Sequence, residues 1–261
     1  MHTKLFTSVR RTVRLAFVFL LLSQTLVAPA AKEAAPAQSP LTLARAAEKD
    51  IPAENTKYRH EPTTVTWKGI DGATENTCFA DCSGFLNEVL KHAYNIDDAA
   101  LANWLGSRRP VARLYHDAIV EEKGFNQITH IKDIKPGDIA AIKFPPGGTV
   151  TGHVMIVNAK PTPRKPTAPL LADSKQWNLE IIDSTSKPHI PDDSRAGAEK
   201  HTGLGHGVIR LYGDKDGRII GYSWSTAENS PVVMPEDRHF VVGRLTGPPK
   251  IAEVRGEKGG Q

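Results

Sequence analysis

The sequence predicts an α+β fold in which N-terminal helices pack on an antiparallel β-sheet. Apolar residues at helical spacing are confined to the first half of the chain, and after Gly124 the spacing changes to two or to short apolar runs. The turn sequence Asp214–Gly217 lies between two of these runs and is typical of a β-hairpin. Helices followed by strands favour α+β, because parallel sheets need the two to alternate.

Composition limits the class of protein. The chain has 261 residues, of which 39% are hydrophobic and 24% charged, enough for one large domain or two small ones with an apolar core. These values exclude wholesale disorder, a multi-pass membrane protein, collagen and a coiled coil. Two cysteines are too few for a disulfide-stapled scaffold.

Residues 1–30 have the layout of a secretion signal. A basic segment ends at Arg14, the apolar run Leu15–Leu22 follows, and Ala28 and Ala30 form a small-residue cleavage site. We therefore expect an extracytoplasmic protein, periplasmic or secreted, with no stable membrane insertion after cleavage. The alternative is an uncleaved anchor, but the apolar run is short for a spanning helix.

The positive net charge comes from this N-terminal segment. It holds four of the 33 basic residues and no acidic one, so the rest of the chain has 29 basic and 29 acidic residues. Nucleic-acid binders usually carry a basic excess, and no nucleic-acid partner is predicted.

The remaining chain divides into three segments. Residues 31–57 are rich in Ala, Pro, Glu and Lys and are predicted to be a linker, with one short helix around Leu41–Lys49 as an option. Residues 58–246 have the pattern of a folded domain. Residues 247–261 begin Gly-Pro-Pro and continue charged and Gly-rich, which predicts a flexible tail.

Three helices and seven strands are predicted within the domain. The strongest helix is Cys82–Tyr94, whose apolar residues recur along one face. Asp97–Trp104 and Val111–Glu121 follow, the second after a helix-initiating proline. The predicted strands are Asn126–His130, Ile139–Lys143, His153–Asn158, Asn178–Asp183, Gly207–Tyr212, Ile219–Ser225 and His239–Leu245.

Cys82 is the candidate nucleophile. A cysteine in the first turn of a helix lies near unpaired N–H groups and the positive end of the helix dipole, which favour the reactive thiolate. Two other interpretations stay open. Cys82 could be a small apolar core residue, or it could form a disulfide with Cys78 in an oxidising compartment.

A nucleophilic cysteine needs a base and a group that orients the base. His153 follows Gly152 at the start of an apolar strand, a position from which an imidazole can face a groove. Asp183 closes another apolar strand and could fix the imidazole tautomer. An ordinary turn-forming role for Asp183 remains the alternative.

The segments Asp-Cys-Ser-Gly-Phe at 81–85, Lys-Pro-Gly-Asp-Ile at 135–139 and Gly-His-Val-Met-Ile-Val at 152–157 resemble the NlpC-type cysteine peptidases of bacterial cell walls. The resemblance spans residues 79–185 and implies a papain-like α+β domain over 58–246. It matches Cys82, His153 and Asp183 to the nucleophile, the histidine and the third polar residue of that family.

The resemblance implies an exported cysteine hydrolase that cleaves an amide bond in peptidoglycan stem peptides through a thioester. It also implies substrate contacts by Asp81 and Ser83, for which helix capping is the alternative, and by Tyr58. Three features depart from the family: the long spacing from Cys82 to His153, a weak approach sequence before the nucleophile, and extra chain at 186–225.

The same sequence allows other functions. The histidines and acids of the 186–225 region include His189, Asp193, His201 and His206, but they lack the spacing of a zinc motif, and neither metal nor cofactor is predicted. A non-catalytic cell-wall or peptide-binding module and an acyl or amide transferase on the same fold are the alternatives. The expected partner is the substrate alone, bound by a monomer.

Overall fold

A mixed α+β architecture is built on one large antiparallel sheet. The computed structural model of the protein describes residues 38–197 and 200–248. Eight strands make up the sheet: β4 (Phe125–Ile128), β5 (Ile139–Lys143), β6 (Gly152–Val157), β7 (Thr162–Arg164), β8 (Lys175–Thr185), β9 (Gly203–Gly213), β10 (Ile219–Ser223) and β11 (His239–Leu245). A smaller sheet contains β1 (Thr56–Lys57), β2 (Thr64–Thr66) and β3 (Thr77–Phe79).

The strand order of the large sheet is β10-β9-β8-β6-β5-β11-β4, and β7 pairs with the free part of β8. All the recorded pairings in this sheet are antiparallel. The longest pairing joins β8 to β9 from Lys175–Gly213 to Thr185–Gly203. The predicted antiparallel sheet is therefore confirmed, and the turn at Asp214–Gly217 joins β9 to β10 as expected.

Four α-helices accompany the sheet: α1 (Pro40–Glu48), α2 (Cys82–Tyr94), α3 (Asp98–Leu105) and α4 (Ala112–Val120). Short 3-10 turns occupy Ala53–Asn55, Ile131–Asp133 and Ser194–Ala196. Helices α2 and α4 both pack against β6, and α4 also packs against β5. The three predicted helices are confirmed to within one residue at each end.

The central strands are buried on both faces. Along β5 and β6, residues such as Ile139 and Val154 join the core cluster that contains the helices. Their neighbours, such as Ile142 and Met155, join a second cluster on the opposite face. Because successive side chains of a strand point to opposite faces, burial of both sets explains why these strands are continuous apolar runs.

The small sheet connects helix α2 to the large sheet. Strand β3 leads directly into α2, and β1 pairs with it in parallel. The hydroxyl of Thr56 donates to the carbonyl of Cys78 at 3.2 Å and accepts from the backbone N–H of Leu204 at 2.7 Å. This buried contact ties the start of α2 to β9.

The segment predicted as a linker contains the optional short helix. Helix α1 lies within residues 31–57 and buries Leu43, Ala44 and Ala47 in the helix-side core. Its end is held by the Asn76 side chain, whose amide donates to the carbonyls of Ala46 and Lys49 at 2.8 and 3.0 Å. Small apolar residues at helical spacing gave α1 a buried face, although the segment's composition is typical of a linker.

Two predicted segments fall outside the described residues. The signal peptide at 1–30 lies wholly outside them, as does the tail at 247–261 apart from its first two residues. Among the residues that are described, no helix combines the length and the apolar character needed to cross a membrane.

The burial of α1 predicts that its apolar face contributes to stability. We expect Leu43→Ala to lower the free energy of unfolding by about 2–4 kcal/mol, the usual cost of truncating a buried leucine. The matched control is Lys49→Ala at an exposed position beside the same helix, expected to change it by less than about 0.5 kcal/mol. Urea denaturation measures both, and equal midpoints would mean that α1 does not pack on the core.

Candidate active site

Cys82 is the first residue of α2. Asp81 caps the helix, since its Oδ1 accepts the backbone N–H of Gly84 at 2.6 Å. The preceding carbonyl, of Ala80, accepts a buried hydrogen bond from the Ser184 hydroxyl of β8 at 2.7 Å. The start of the helix is thereby fixed against the strand that carries Asp183, and the Cys82 residue retains 6% of its surface exposed.

His153 is positioned by the glycine before it. Gly152 has φ of 151°, and a Cβ atom there would collide with the carbonyl oxygen of Ile142 on β5. Only glycine therefore allows β6 to begin this close to β5, with the His153 side chain directed towards Asp183. The Nε2–H of His153 donates to Asp183 Oδ2 at 2.6 Å.

Cys82 and His153 lie close together. The Cys82 side chain is near enough to affect the pKa of His153 through its charge and by hydrogen bonding, and because Nε2 of the imidazole is engaged by Asp183, the nitrogen available to the sulfur is Nδ1. Burial alone would lower the pKa of His153, but the charges of Cys82 and Asp183 and the hydrogen bonds to both raise it to about 10. The three residues predicted from the sequence thus form one contiguous chain.

Asp183 is fully buried and surrounded by cations. Arg195 donates through Nη1 to Asp183 Oδ1 at 2.9 Å, and His189 Nε2 lies 3.0 Å from Oδ2. Burial would raise the pKa of the Asp183 carboxyl, but Arg195, His189 and His153 together hold it well below its usual value. Asp183 is consequently a permanent carboxylate at neutral pH, which keeps Nε2 of His153 protonated.

A second set of residues holds Arg195 and His189 in place. Both carboxylate oxygens of Asp193 accept from the Arg195 guanidinium, at 2.8 and 2.7 Å. The Trp224 carbonyl lies 2.6 Å from His189 Nδ1, and the Trp224 ring lies 4.2 Å from the His189 ring and 5.0 Å from the His153 ring. The indole therefore shields the His153–Asp183 hydrogen bond from water.

The sequence did not predict this support. From the sequence, His189 is only one of several histidines in the 186–225 region that lack a zinc motif, whereas in the structure it is completely buried. His206 pairs with Glu48 of α1 at 2.7 Å and takes no part. The signal that could have predicted this network is the close spacing of Asp183, His189 and Arg195 along the chain. Charged residues this close in sequence can all be buried only if they pair with one another.

The remaining predicted site residues have different environments. Asp81 accepts from the Ser83 hydroxyl, His60 and Arg109 in addition to capping α2. Capping and local ion pairing thus occupy Asp81 and Ser83, and substrate contact by either residue stays a prediction. Cys78 and Cys82 are both free thiols, and Cys78 is entirely buried.

Tyr58 lines the cavity next to His153. Burial, followed by the charges of Cys82, Asp81 and Asp183, raises the pKa of its phenol above the ordinary value. The hydroxyl therefore stays protonated and can donate a hydrogen bond to a bound molecule. The cavity has a volume of about 480 Å³, within the size range of small-molecule sites.

A metal ion could in principle use part of this cluster. His153, Asp183 and His189 each offer one ligand atom, and these atoms lie within 4.8 Å of one another. The positive guanidinium of Arg195, 2.9 Å from the same carboxylate, opposes a cation there. Both histidines already direct a ring nitrogen at the carboxylate, so the geometry fits a hydrogen-bonded network better than a metal centre.

Comparison with known proteins places the chain in a family. It is 36% identical over 201 residues to the uncharacterized protein R653 of Acanthamoeba polyphaga mimivirus, a match that covers 73% of this chain and 88% of the viral protein. The two proteins belong to one family. No protein-family model and no solved structure matches the chain.

The raised pKa of His153 predicts a pH-dependent stability. Its ordinary pKa is 6.5 and its pKa in the folded protein is about 10, so the bound proton stabilises the fold below pH 6.5. This contribution is lost as the pH rises through about 10, and it is on the order of a few kcal/mol. We expect the free energy of unfolding to fall over this range relative to His153→Gln, whose side chain does not titrate.

Urea denaturation of the two proteins at several pH values between 6 and 10.5 provides the measurement. Groups that do not interact with His153 titrate alike in both proteins and cancel in the difference, and a Cys82→Ala background removes the one coupled thiol. Parallel pH profiles would show that the imidazole is not held in its charged form.

Proposed function

We propose that the protein is a cysteine hydrolase with a papain-like, NlpC-type domain, and that it cleaves an amide bond outside the cytoplasm. The arrangement Cys82–His153–Asp183, in which His153 lines a cavity and links the other two residues, carries this proposal. The substrates to test first are peptidoglycan stem peptides, which the sequence resemblance implies.

The reaction begins with Cys82 and His153 as a thiolate–imidazolium pair. The sulfur attacks the carbonyl carbon of the amide, and a tetrahedral intermediate with a negative oxygen forms. At the first position of α2, the backbone N–H of Cys82 has no acceptor within the helix, so it is free to stabilise that oxygen.

The intermediate collapses when the carbon–nitrogen bond breaks. His153 gives its Nδ1 proton to the leaving amine, which departs as a neutral molecule and leaves the acyl group on Cys82 as a thioester. Water then attacks the thioester while His153 takes one of its protons. Breakage of the carbon–sulfur bond releases the carboxylic acid and restores the ion pair.

Asp183 acts through His153 during both steps. Its hydrogen bond at 2.6 Å keeps Nε2 protonated, so the proton exchanged with the substrate is always the one on Nδ1. Arg195 and His189 prevent the carboxylate from turning away or being neutralised. The geometry therefore fits catalysis better than a binding module, which would have no need of an oriented imidazole beside a thiol.

The first test removes the nucleophile or the base. We expect Cys82→Ala and His153→Ala each to reduce peptidoglycan digestion at least about a thousandfold, because members of a catalytic unit fail together. Mass spectrometry of the released stem-peptide fragments provides the measurement. The matched control is Cys78→Ala, the other free cysteine, which should retain full activity.

Three outcomes would contradict the proposal. Digestion by Cys82→Ala at the normal rate would remove the residue from catalysis. Binding to purified cell wall without any product, by the unmodified protein, would favour the binding module. Loss of activity on adding EDTA would favour a metal at the His153 cluster instead.

Tyr58 provides a separate test of the substrate site. We expect Tyr58→Phe to reduce kcat/KM about tenfold, the effect of one lost hydrogen bond to the substrate. Tyr94→Phe, at the far end of α2, is the matched control and should change nothing. Equal kinetics for the two variants would show that the Tyr58 hydroxyl does not contact the substrate.

A further inference from the structure

The cavity beside His153 has a distinctive wall. Much of the wall is apolar or aromatic, formed by Phe144, Val150, Tyr222, Trp224, Pro231 and Val233. These residues come from the β5–β6 loop, from β10 and from the chain that follows β10. A molecule bound here would lie against carbon on several sides, next to the imidazole of the candidate site.

Two cationic side chains also line this cavity. The Arg238 guanidinium lies 4.3 Å from the centre of the Phe144 ring. Lys187 is fixed through its backbone, whose N–H donates to Thr185 Oγ1 at 3.1 Å and whose carbonyl accepts from the Trp224 indole at 2.9 Å. The backbone of Lys187 is thus held by Thr185 and Trp224, and the guanidinium of Arg238 packs on Phe144.

The positive charge in this cavity is not neutralised by the protein. No Asp or Glu is among the lining residues in the described part of the chain. Across residues 38–197 and 200–248, the ion pairs recorded include neither Lys187 nor Arg238. His153, at the catalytic end, is paired with Asp183 at 2.6 Å and adds no unbalanced charge.

A second cavity in the same molecule shows the contrast. It has a volume of about 510 Å³ and lies along α2, and it too contains basic residues, including Arg108 and Arg109. There, however, Glu61, Glu88 and Asp98 accompany them. Unbalanced positive charge is thus a property of the cavity next to His153 and does not extend to that second cavity.

We infer that the substrate is an anion: beside the amide bond that is cleaved, it carries a carboxylate that binds at Lys187 and Arg238, and an apolar portion that lies against Phe144 and Trp224. This inference rests on the proposed hydrolase function, whose substrate class it narrows. Lys187 and Arg238 are both exposed and are solvated by water in the free protein, so a substrate lacking the carboxylate would gain no attraction from them and is bound less tightly.

The test uses two alkylating reagents that differ mainly in charge. Iodoacetate is an anion and iodoacetamide is neutral, and both alkylate a thiolate. The rates are measured in a Cys78→Ala background, so that only Cys82 reports, and their ratio is compared among Lys187→Gln, Arg238→Gln and the double variant. The control is Lys215→Gln, which removes one exposed positive charge at the β9–β10 turn.

We expect each substitution to lower the iodoacetate-to-iodoacetamide ratio about two- to threefold, as the loss of one unit charge several ångströms away in water predicts. The double variant should show the product of the two effects, and added salt should weaken them. Lys215→Gln should leave the ratio unchanged. His153 contributes equally in every variant and does not affect the comparison.

The outcomes separate this inference from the proposed function. If Cys82 reacts rapidly with iodoacetamide but the ratio is the same in all variants, the anion site is wrong while the nucleophile stands. If Cys82 reacts with neither reagent, both are wrong.

Hydrolysis gives a second, independent measurement. Synthetic stem peptides are compared that differ only in whether one carboxylate is free or amidated. We expect the protein to prefer the free carboxylate in kcat/KM, and we expect the preference to disappear in the double variant. Cleavage of both peptides at the same rate would overturn the inference.

Discussion

The buried carboxylate of Asp183 is the constraint on which the candidate site depends. A carboxylate with no exposed surface is strongly disfavoured unless hydrogen bonds and opposite charges replace the water it has lost. Here Arg195 binds one oxygen, while His153 and His189 bind the other. The orientation of the His153 ring, and hence the nitrogen offered to Cys82, follows from how this one group is satisfied.

This dependence explains the size of the region after β8. Arg195 reaches Asp183 only because the loop between β8 and β9 folds back over the strands, held by the Asp193 carboxylate. The Trp224 ring then covers the histidines from the other side. Chain that exceeds a minimal domain in length thus encloses the carboxylate and excludes water from it.

Much of the fold could be predicted from the sequence because its signals are local. The helix at Cys82–Tyr94 and the strands at Ile139–Lys143 and His239–Leu245 have the predicted boundaries, since their apolar spacing and end signals lie within the segments. Helix α1 was predicted only as an option, because its buried face consists largely of alanine and the composition of its segment resembles that of a linker.

The residues of the candidate site fall into the same two groups, those with local sequence signals and those without. Cys82, His153 and Asp183 each stand at the end of a recognisable element, so their positions can be predicted from the sequence. Arg195 and His189 lie in irregular chain, and their role depends on contacts across the fold that no local pattern encodes. Sequence patterns therefore indicate the residues of the proposed catalytic chain, whereas the groups that hold them in place emerge only from tertiary structure.

Charge alternates along the network in the proposed ion-pair state. The order is thiolate Cys82, imidazolium His153, carboxylate Asp183, guanidinium Arg195 and carboxylate Asp193, with each group in contact with the next. Every member beyond His153 has partners of opposite charge on both sides or several hydrogen bonds of its own. At the far end, both oxygens of Asp193 are bound by Arg195, whereas Cys82 is paired within the series with His153 alone, and in the proposed reaction it is the Cys82 charge that meets the substrate.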